Sequence, residues 1–245
     1  MSLFITFEGG DGGGKSTQAA LLTDRLKKSG KSVFYFQEPG TTLLGRMLRL
    51  WLSDPNRPLT LIPKPGAQLS FMEHAIDDHL LPNIILHGAA PRAELLAFTI
   101  ARAQLVEEYL IPHLRNNNVV VCNRFADSTV AYQGYGRILP LKLVEMANEV
   151  ATQGIKPDLT VLLDIAPEKG LARKFEADER DHFEKQVLDF HRRVRQGYLA
   201  LAATEPERWL VVDAGQPKAK VAHVVWERVS RLLVEILGSE NQVAE

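Results

Sequence analysis

The stretch FEGGDGGGKST, residues 7–17, constrains this chain more than any other. Its core, Gly9-Gly10-Asp11-Gly12-Gly13-Gly14-Lys15-Ser16, fits the pattern G-x-x-x-x-G-K-[ST]. An apolar run, SLFITFE, leads into it, and an amphipathic segment follows. Strand, glycine loop and helix in that order form a cradle for phosphate. The glycines let backbone N–H groups approach an anion, and the helix N-terminus adds positive potential. Lys15 is placed to reach the β- and γ-phosphates, and the Ser16 hydroxyl to ligate Mg²⁺. Residues Gly9 to Gly14, Lys15, Ser16 and Thr17 are therefore read as a loop that binds a nucleoside triphosphate, with Mg²⁺ as cofactor and Ser16 as its ligand.

The rest of the chain repeats the alternation that this loop begins. SVFYFQE, NVVVCNR, LTVLLDI and WLVVDA are strand-like, with helical patterns between them at about 15–28, 43–52, 93–115, 141–152, 167–175, 183–203 and 218–237. Alternation of this kind implies crossover connections and a parallel sheet covered on both faces. A length of 245 residues with 45% hydrophobic content suits one such domain, 1–245. The proline-rich stretch at about 56–90 is read as an insertion. Its His74 and His79 have neither metal-ligand spacing nor a third ligand, so a solvated segment is expected. The tail GSENQVAE reads as frayed. With 29 Lys+Arg against 30 Asp+Glu, nothing global favours nucleic acid or an anionic membrane. The opening MSLFITFEGG lacks a basic start and a long apolar run, so the reading is a cytoplasmic protein. Cys122, the single cysteine, ends an apolar run and is expected to be buried and structural.

A phosphate loop does not separate kinases, ATPases and GTPases. No N-K-x-D guanine loop is found in the sequence. A small-molecule kinase needs instead a second anion site facing the loop and a cationic cover that excludes water. VVVCNRFADSTVAYQGYGR, residues 119–137, offers the second site, because Arg124 follows an apolar strand at the end where ligands bind in parallel sheets. Read from residue type alone, Phe98 and Tyr132 suit core packing as well as a pocket, and Arg49 and Arg102 suit surface pairs as well as ligand contacts.

FEGGDGGGKSTQ, FQEPGTTLLGRMLR, RAELLAFTIARAQLVEEYLIPHL, the 119–137 stretch and GLARKFEADERDHFEKQVLDFHRRVRQGYLALA together resemble the thymidylate kinase family, in its bacterial branch. Its most specific parts are E-P-G after the second strand and R-F-x-x-S-x-x-A-Y-Q after the third. The resemblance spans the chain apart from 56–90 and the extreme C-terminus. It implies the P-loop nucleoside monophosphate kinase fold, an α/β arrangement of five parallel strands with helices on both faces and a lid, here at about 173–184. It implies transfer of the γ-phosphoryl group of MgATP to dTMP, with a homodimer and no nucleic-acid or membrane partner. By the same resemblance, Phe98 stacks on thymine and Arg102 binds its edge. Arg124 and Arg49 hold the acceptor phosphate, with Glu38 in the same site. Ser128, Thr129 and Gln133 line the base pocket, Tyr132 crowds the sugar 2′ position, and Asp11 approaches the 3′-hydroxyl. Residues 213–217 resemble an adenine-side loop.

Several positions depart from the family pattern. Asn123 stands where an aspartate usually precedes the arginine, and Gln37 and Thr41 replace an arginine and a glycine around E-P-G. Gly12 occupies the place where another branch carries the catalytic arginine, so the lid is expected to supply that charge. There Phe175, Ala177 and His182 replace arginines, leaving Arg173 and Arg180. Because an acceptor phosphate is already anionic, no general base is required; Lys15, Arg124, Arg49 and Mg²⁺ supply positioning and charge. The alternatives are a kinase for another nucleotide or a nucleoside, and an ATP-binding switch with little turnover.

Overall fold

The computed structural model describes residues 2–53, 89–174 and 184–243. The expected insertion and most of the expected lid, including His74, His79, Phe175, Ala177, Arg180 and His182, lie outside these residues. Five strands, β1 (Leu3–Glu8), β2 (Val33–Gln37), β3 (Val119–Asn123), β4 (Leu159–Asp164) and β5 (Trp209–Asp213), form one sheet in the order β2-β3-β1-β4-β5. Each pairing is parallel. Central β1 and β3 are buried at every position, whereas the edge strands β2 and β5 alternate between buried and more exposed residues. A strand covered on both faces reads as a continuous apolar run; an edge strand does not.

Side-chain alternation divides the core. Leu3, Ile5, Phe7, Val119 and Val121 pack under α1 (Lys15–Lys28) and α9 (Lys218–Val243). Phe4, Val120 and Cys122 face the other way, against α3 (Pro91–Leu105) and its continuation. That continuation differs from the single helix expected over 93–115. A π-helical turn, Val106–Leu110, separates α3 from α4 (Ile111–Arg115). The turn adds one residue to the helix, and Val106 and Leu110, which share a face, are both buried. The last helix also runs past the expected end at 237, to Val243, so part of the tail read as frayed is helical.

Because the strands are parallel, all their C-terminal ends lie along one edge of the sheet. The glycine loop, the turn before α2 (Leu43–Ser53) and the Asn123-Arg124 pair leave from that edge, with Phe7 and Gln37 both in register with Asn123. After Arg124 come α5 (Ala126–Thr129) and a second π-helical turn, Val130–Gly136, then α6 (Leu141–Thr152). Beyond β4 lie α7 (Pro167–Lys174) and α8 (Glu184–Thr204). Glycines allow α8 to dock closely on the π-turn. A Cβ on Gly136 would meet Phe190 at 2.6 Å, and one on Gly197 would meet the Tyr135 ring at 2.7 Å. This contact brings Tyr198 to the strand edge.

Candidate active site

The glycine loop begins where β1 ends. Gly12 has φ +73°, and a Cβ there would collide with the Gly170 carbonyl on α7, so only glycine lets the two backbones approach. Lys15 is 8% exposed, and its Nζ donates to the carbonyl oxygens of Gly9 at 3.0 Å and Gly10 at 2.7 Å. The ammonium is thereby held over the loop it would serve.

A cleft of about 580 Å³ opens beside this loop. Asp11, Gly12, Lys15, Ser16, Glu38, Arg49, Phe98, Arg102, Arg124, Ser128, Thr129, Tyr132 and Gln133 all line it, so residues named from four separate segments converge. Gly13, Gly14 and Thr17 line a second cleft of about 220 Å³, with Arg173, Ala214 and Gln216. Arg173 donates to the Ala214 carbonyl at 3.1 Å, at the glycine-loop side of that cleft.

Arg124 occupies the junction between loop and cleft. Its backbone is in the left-handed region, φ 71°, a conformation that costs a non-glycine residue about 1–2 kcal/mol. Side-chain contacts hold it there. Nη2 donates to Asp11 Oδ1 at 2.8 Å and to the Tyr132 hydroxyl at 3.1 Å. Nη1 donates to the Gly9 carbonyl at 3.3 Å, Ser128 Oγ at 3.2 Å and the Tyr198 hydroxyl at 3.3 Å. Although burial alone would lower it, the surrounding Tyr132, Tyr198, Asp11 and Glu8 push the guanidinium pKa up, so Arg124 is a permanent cation. Tyr132 is pushed up to about 12, chiefly by burial, and remains a neutral hydroxyl.

Arg102 and Glu38 form a buried pair in the wall of the same cleft. Arg102 Nε donates to Glu38 Oε2 at 3.1 Å, and Nη2 lies 2.6 Å from Oε1. Nη1 donates to Asn148 Oδ1 at 2.6 Å, and Nη2 to the Phe125 carbonyl at 3.1 Å. A guanidinium has five N–H groups, so one on Nη1 remains for a ligand. Gln133, 1% exposed, donates to Glu94 at 3.0 Å, which fixes the amide's orientation in the wall. Arg49 is exposed at the mouth, and its Nη1 lies close to Gly40. Thr41, one of the departures, closes the turn after β2. Its Oγ1 accepts from the Gln37 N–H at 2.8 Å and donates to the Gln37 carbonyl at 3.0 Å.

The Asn123 departure falls beside Ser16. Asn123 Nδ2 donates to Ser16 Oγ at 2.9 Å, while Oδ1 is buried and has no hydrogen-bond partner among the described residues. A Mg²⁺ ion takes oxygen donors and retains several waters. The Ser16 hydroxyl and the partnerless oxygen of the amide bonded to it are donor types that this ion takes, although both are uncharged and it is the amide nitrogen that faces Ser16. Glu8 does not fill the gap. It follows Phe7, which shares a sheet face with α1, and so it projects from the opposite face toward α5 and α8. Asp11 is paired with Arg124.

Sequence reasoning missed Tyr198 and Asn148, which reach this site from α8 and α6. Both sit in helices whose local pattern marks them only as inward-facing.

A five-stranded parallel sheet with a phosphate loop set between two clefts defines a class, the P-loop nucleoside monophosphate kinases. The family model described as thymidylate kinase matches residues 7–62 and 76–225, leaving 63–75 unmatched between its two segments. The sequence is 42% identical over 241 residues to a thymidylate kinase of Synechococcus sp. (strain JA-2-3B'a(2-13)), covering 97% of this chain and all of that one. It is 40% identical over 228 residues to a thymidylate kinase of Deinococcus radiodurans, covering 93% and 96%. A crystal structure of thymidylate kinase from Ehrlichia chaffeensis matches with a TM-score of 0.64 at 29% identity, covering 94% and 98%. The chain belongs to the thymidylate kinase family and is an enzyme of that family.

Proposed function

We propose that this enzyme transfers the γ-phosphoryl group of MgATP to the 5′-phosphate of dTMP, forming dTDP for dTTP synthesis. The observation that carries this is the meeting of the glycine loop, Arg124 and Arg49 around one cleft that also holds Phe98 and Gln133. Phosphoryl transfer between two anions needs alignment and fixed positive charge rather than a proton acceptor. Lys15 serves the donor phosphates. Arg124, at the junction, touches the acceptor phosphate, with Arg49 at its outer side. Phe98 stacks on the base, the remaining Nη1 hydrogen of Arg102 meets its edge, and Thr129 and Gln133 complete the wall. Tyr132 stands against the sugar, and Asp11 against its 3′-hydroxyl. The adenine of ATP occupies the second cleft, beside Ala214 and Gln216. Arg173 and Arg180 supply the cationic cover.

Ser16 would hold Mg²⁺ directly, with Asn123 beside it, and the ion would neutralise charge on the donor phosphates. The neutral amide makes a prediction. In Asn123→Asp the carboxylate accepts from the Ser16 hydroxyl, releasing the oxygen lone pair now taken by Nδ2, and adds a negative charge. The Mg²⁺ concentration giving half-maximal rate is expected to fall roughly tenfold, equivalent to about 1.4 kcal/mol. Mg²⁺ titrations of wild type and variant check this; an unchanged requirement would exclude position 123 from the metal shell.

Cytoplasmic location and a homodimer belong to the same proposal. Leu96 and Ile100, exposed at 56% and 48% along α3, support the dimer. Among the described residues no helix is long and apolar enough to cross a membrane. Coupled ADP-release assays with dTMP, dUMP, dCMP and thymidine test the reaction. The highest kcat/KM is expected with dTMP, and negligible turnover with thymidine, which leaves Arg124 and Arg49 without an anion. ATP binding with no acceptor-dependent turnover would favour a switch instead.

A further inference from the structure

Glu8 and Tyr198 have no role in the reaction outlined above, yet both contact the groups that hold Arg124. Glu8, the last residue of β1, is completely buried. Its Oε1 accepts the Phe125 N–H at 2.7 Å, and its Oε2 accepts the Ser128 hydroxyl at 2.5 Å and the Tyr198 hydroxyl at 3.0 Å. The two hydroxyl oxygens are 2.8 Å apart, and Arg124 Nη1 donates to both.

Bond directions follow from counting hydrogens. Each hydroxyl has one hydrogen and two lone pairs, and a carboxylate only accepts. With Glu8 ionised, both hydroxyls turn their hydrogens to Oε2 and their lone pairs to the guanidinium. With Glu8 protonated, its hydrogen occupies one of those oxygens. The displaced hydrogen then turns to the other hydroxyl, 2.8 Å away; Arg124 keeps both oxygen acceptors but loses the negative charge behind them that polarises them toward the guanidinium. Asp11 does the same on the other side, taking the Tyr132 hydrogen at 3.2 Å while Tyr132 accepts from Nη2.

We propose that Glu8 is a positioning residue, which orients Arg124 for the acceptor phosphate through the hydroxyls of Ser128 and Tyr198. This rests on Arg124 being the group that touches that phosphate. The groups around the carboxyl are Asp127 of α5, itself paired with Arg208 before β5, Arg124 and Cys122 at the end of β3, and Tyr198 of α8. Burial, then Asp127, pushes Glu8 up to about 7; the Ser128 bond, Arg124 and the Phe125 N–H pull the other way. The ionised arrangement is therefore present above neutral pH and lost as pH falls.

Steady-state KM values for dTMP and ATP across pH 6 to 8, with melting temperatures, test this in wild type, Glu8→Gln, Tyr198→Phe and Arg124→Gln. Glu8→Gln presents a fixed donor, as the protonated acid does. It is expected to raise the dTMP KM about tenfold at pH 8, a loss comparable to one hydrogen bond to a charged group, with the ATP KM within about twofold. That difference should shrink toward pH 6, where wild type also carries the proton; titration of dTMP itself is common to all variants. Tyr198→Phe should raise the dTMP KM about three- to fivefold, and it decides the matter should Glu8→Gln not fold. If Arg124→Gln raises the dTMP KM while Glu8→Gln and Tyr198→Phe do not, the positioning role fails and the phosphate contact stands. If Arg124→Gln leaves the dTMP KM unchanged, the phosphate contact itself is wrong. Both KM values rising in step with falling Tm would reduce Glu8 to a structural residue.

Discussion

Replacing Lys15 with methionine is expected to lower kcat by roughly 10²–10³, about 2.7–4 kcal/mol of transition-state stabilisation, while the dTMP KM changes within about threefold. Methionine keeps most of the side-chain length but removes the charge. The effect is large because charge shifts between the transferring phosphoryl group and the leaving oxygen during the reaction, and a fixed cation acts on the change rather than on the bound state. Lys15 is suited to that task by its confinement. It is 8% exposed and held by the Gly9 and Gly10 carbonyls, so little reorganisation accompanies donor binding. Initial rates at saturating ATP and dTMP, with melting temperature as a control, check the prediction. A kcat within about tenfold of wild type, with the fold intact, would assign the donor charge elsewhere, Arg173 being the nearest alternative by position.

What was legible in the sequence followed from local chemistry. The five strands were visible because buried parallel strands are continuous apolar runs, and the phosphate loop because its backbone tolerates so few side chains. Residues in E-P-G and R-F-x-x-S-x-x-A-Y-Q meet in one cleft because both segments leave the same edge of the sheet. The π-turns at 106–110 and 130–136 were not legible, since one added residue in a helical turn leaves the apolar pattern almost unchanged. Contacts between distant positions were also invisible. Tyr198 reaches Glu8 across 190 positions, and Asn148 reaches Arg102 across 46, through helix packing that no spacing encodes. Sequence also placed Arg102 and Glu38 in the site as separate ligand contacts, whereas they are bonded to each other.

That pairing leads to the second large effect. Arg102→Met is expected to destabilise the protein by about 3–5 kcal/mol at pH 8, because it leaves the Glu38 carboxylate buried without its cation. Both side chains are 2% exposed, so water does not replace the lost contact. For a chain of this size the expected fall in Tm is on the order of 10 °C. The penalty should depend on pH in a definite sense. Burial already raises the Glu38 pKa, and Arg102 is the group that opposes the rise. Without Arg102 the folded-state pKa moves further above its unfolded value. The folded variant then binds more protons than its unfolded chain, so its stability is greatest below the unfolded pKa and declines as pH rises through the folded one. Melting temperatures at pH 5 and pH 8 should therefore diverge more from wild type at pH 8. Equal penalties at both would place the loss in the bonds to Asn148 and the Phe125 carbonyl instead. Adding Glu38→Gln to Arg102→Met distinguishes these further: removing the stranded charge should recover part of the stability at pH 8 and little at pH 5, a coupling visible only if the pair acts as one unit.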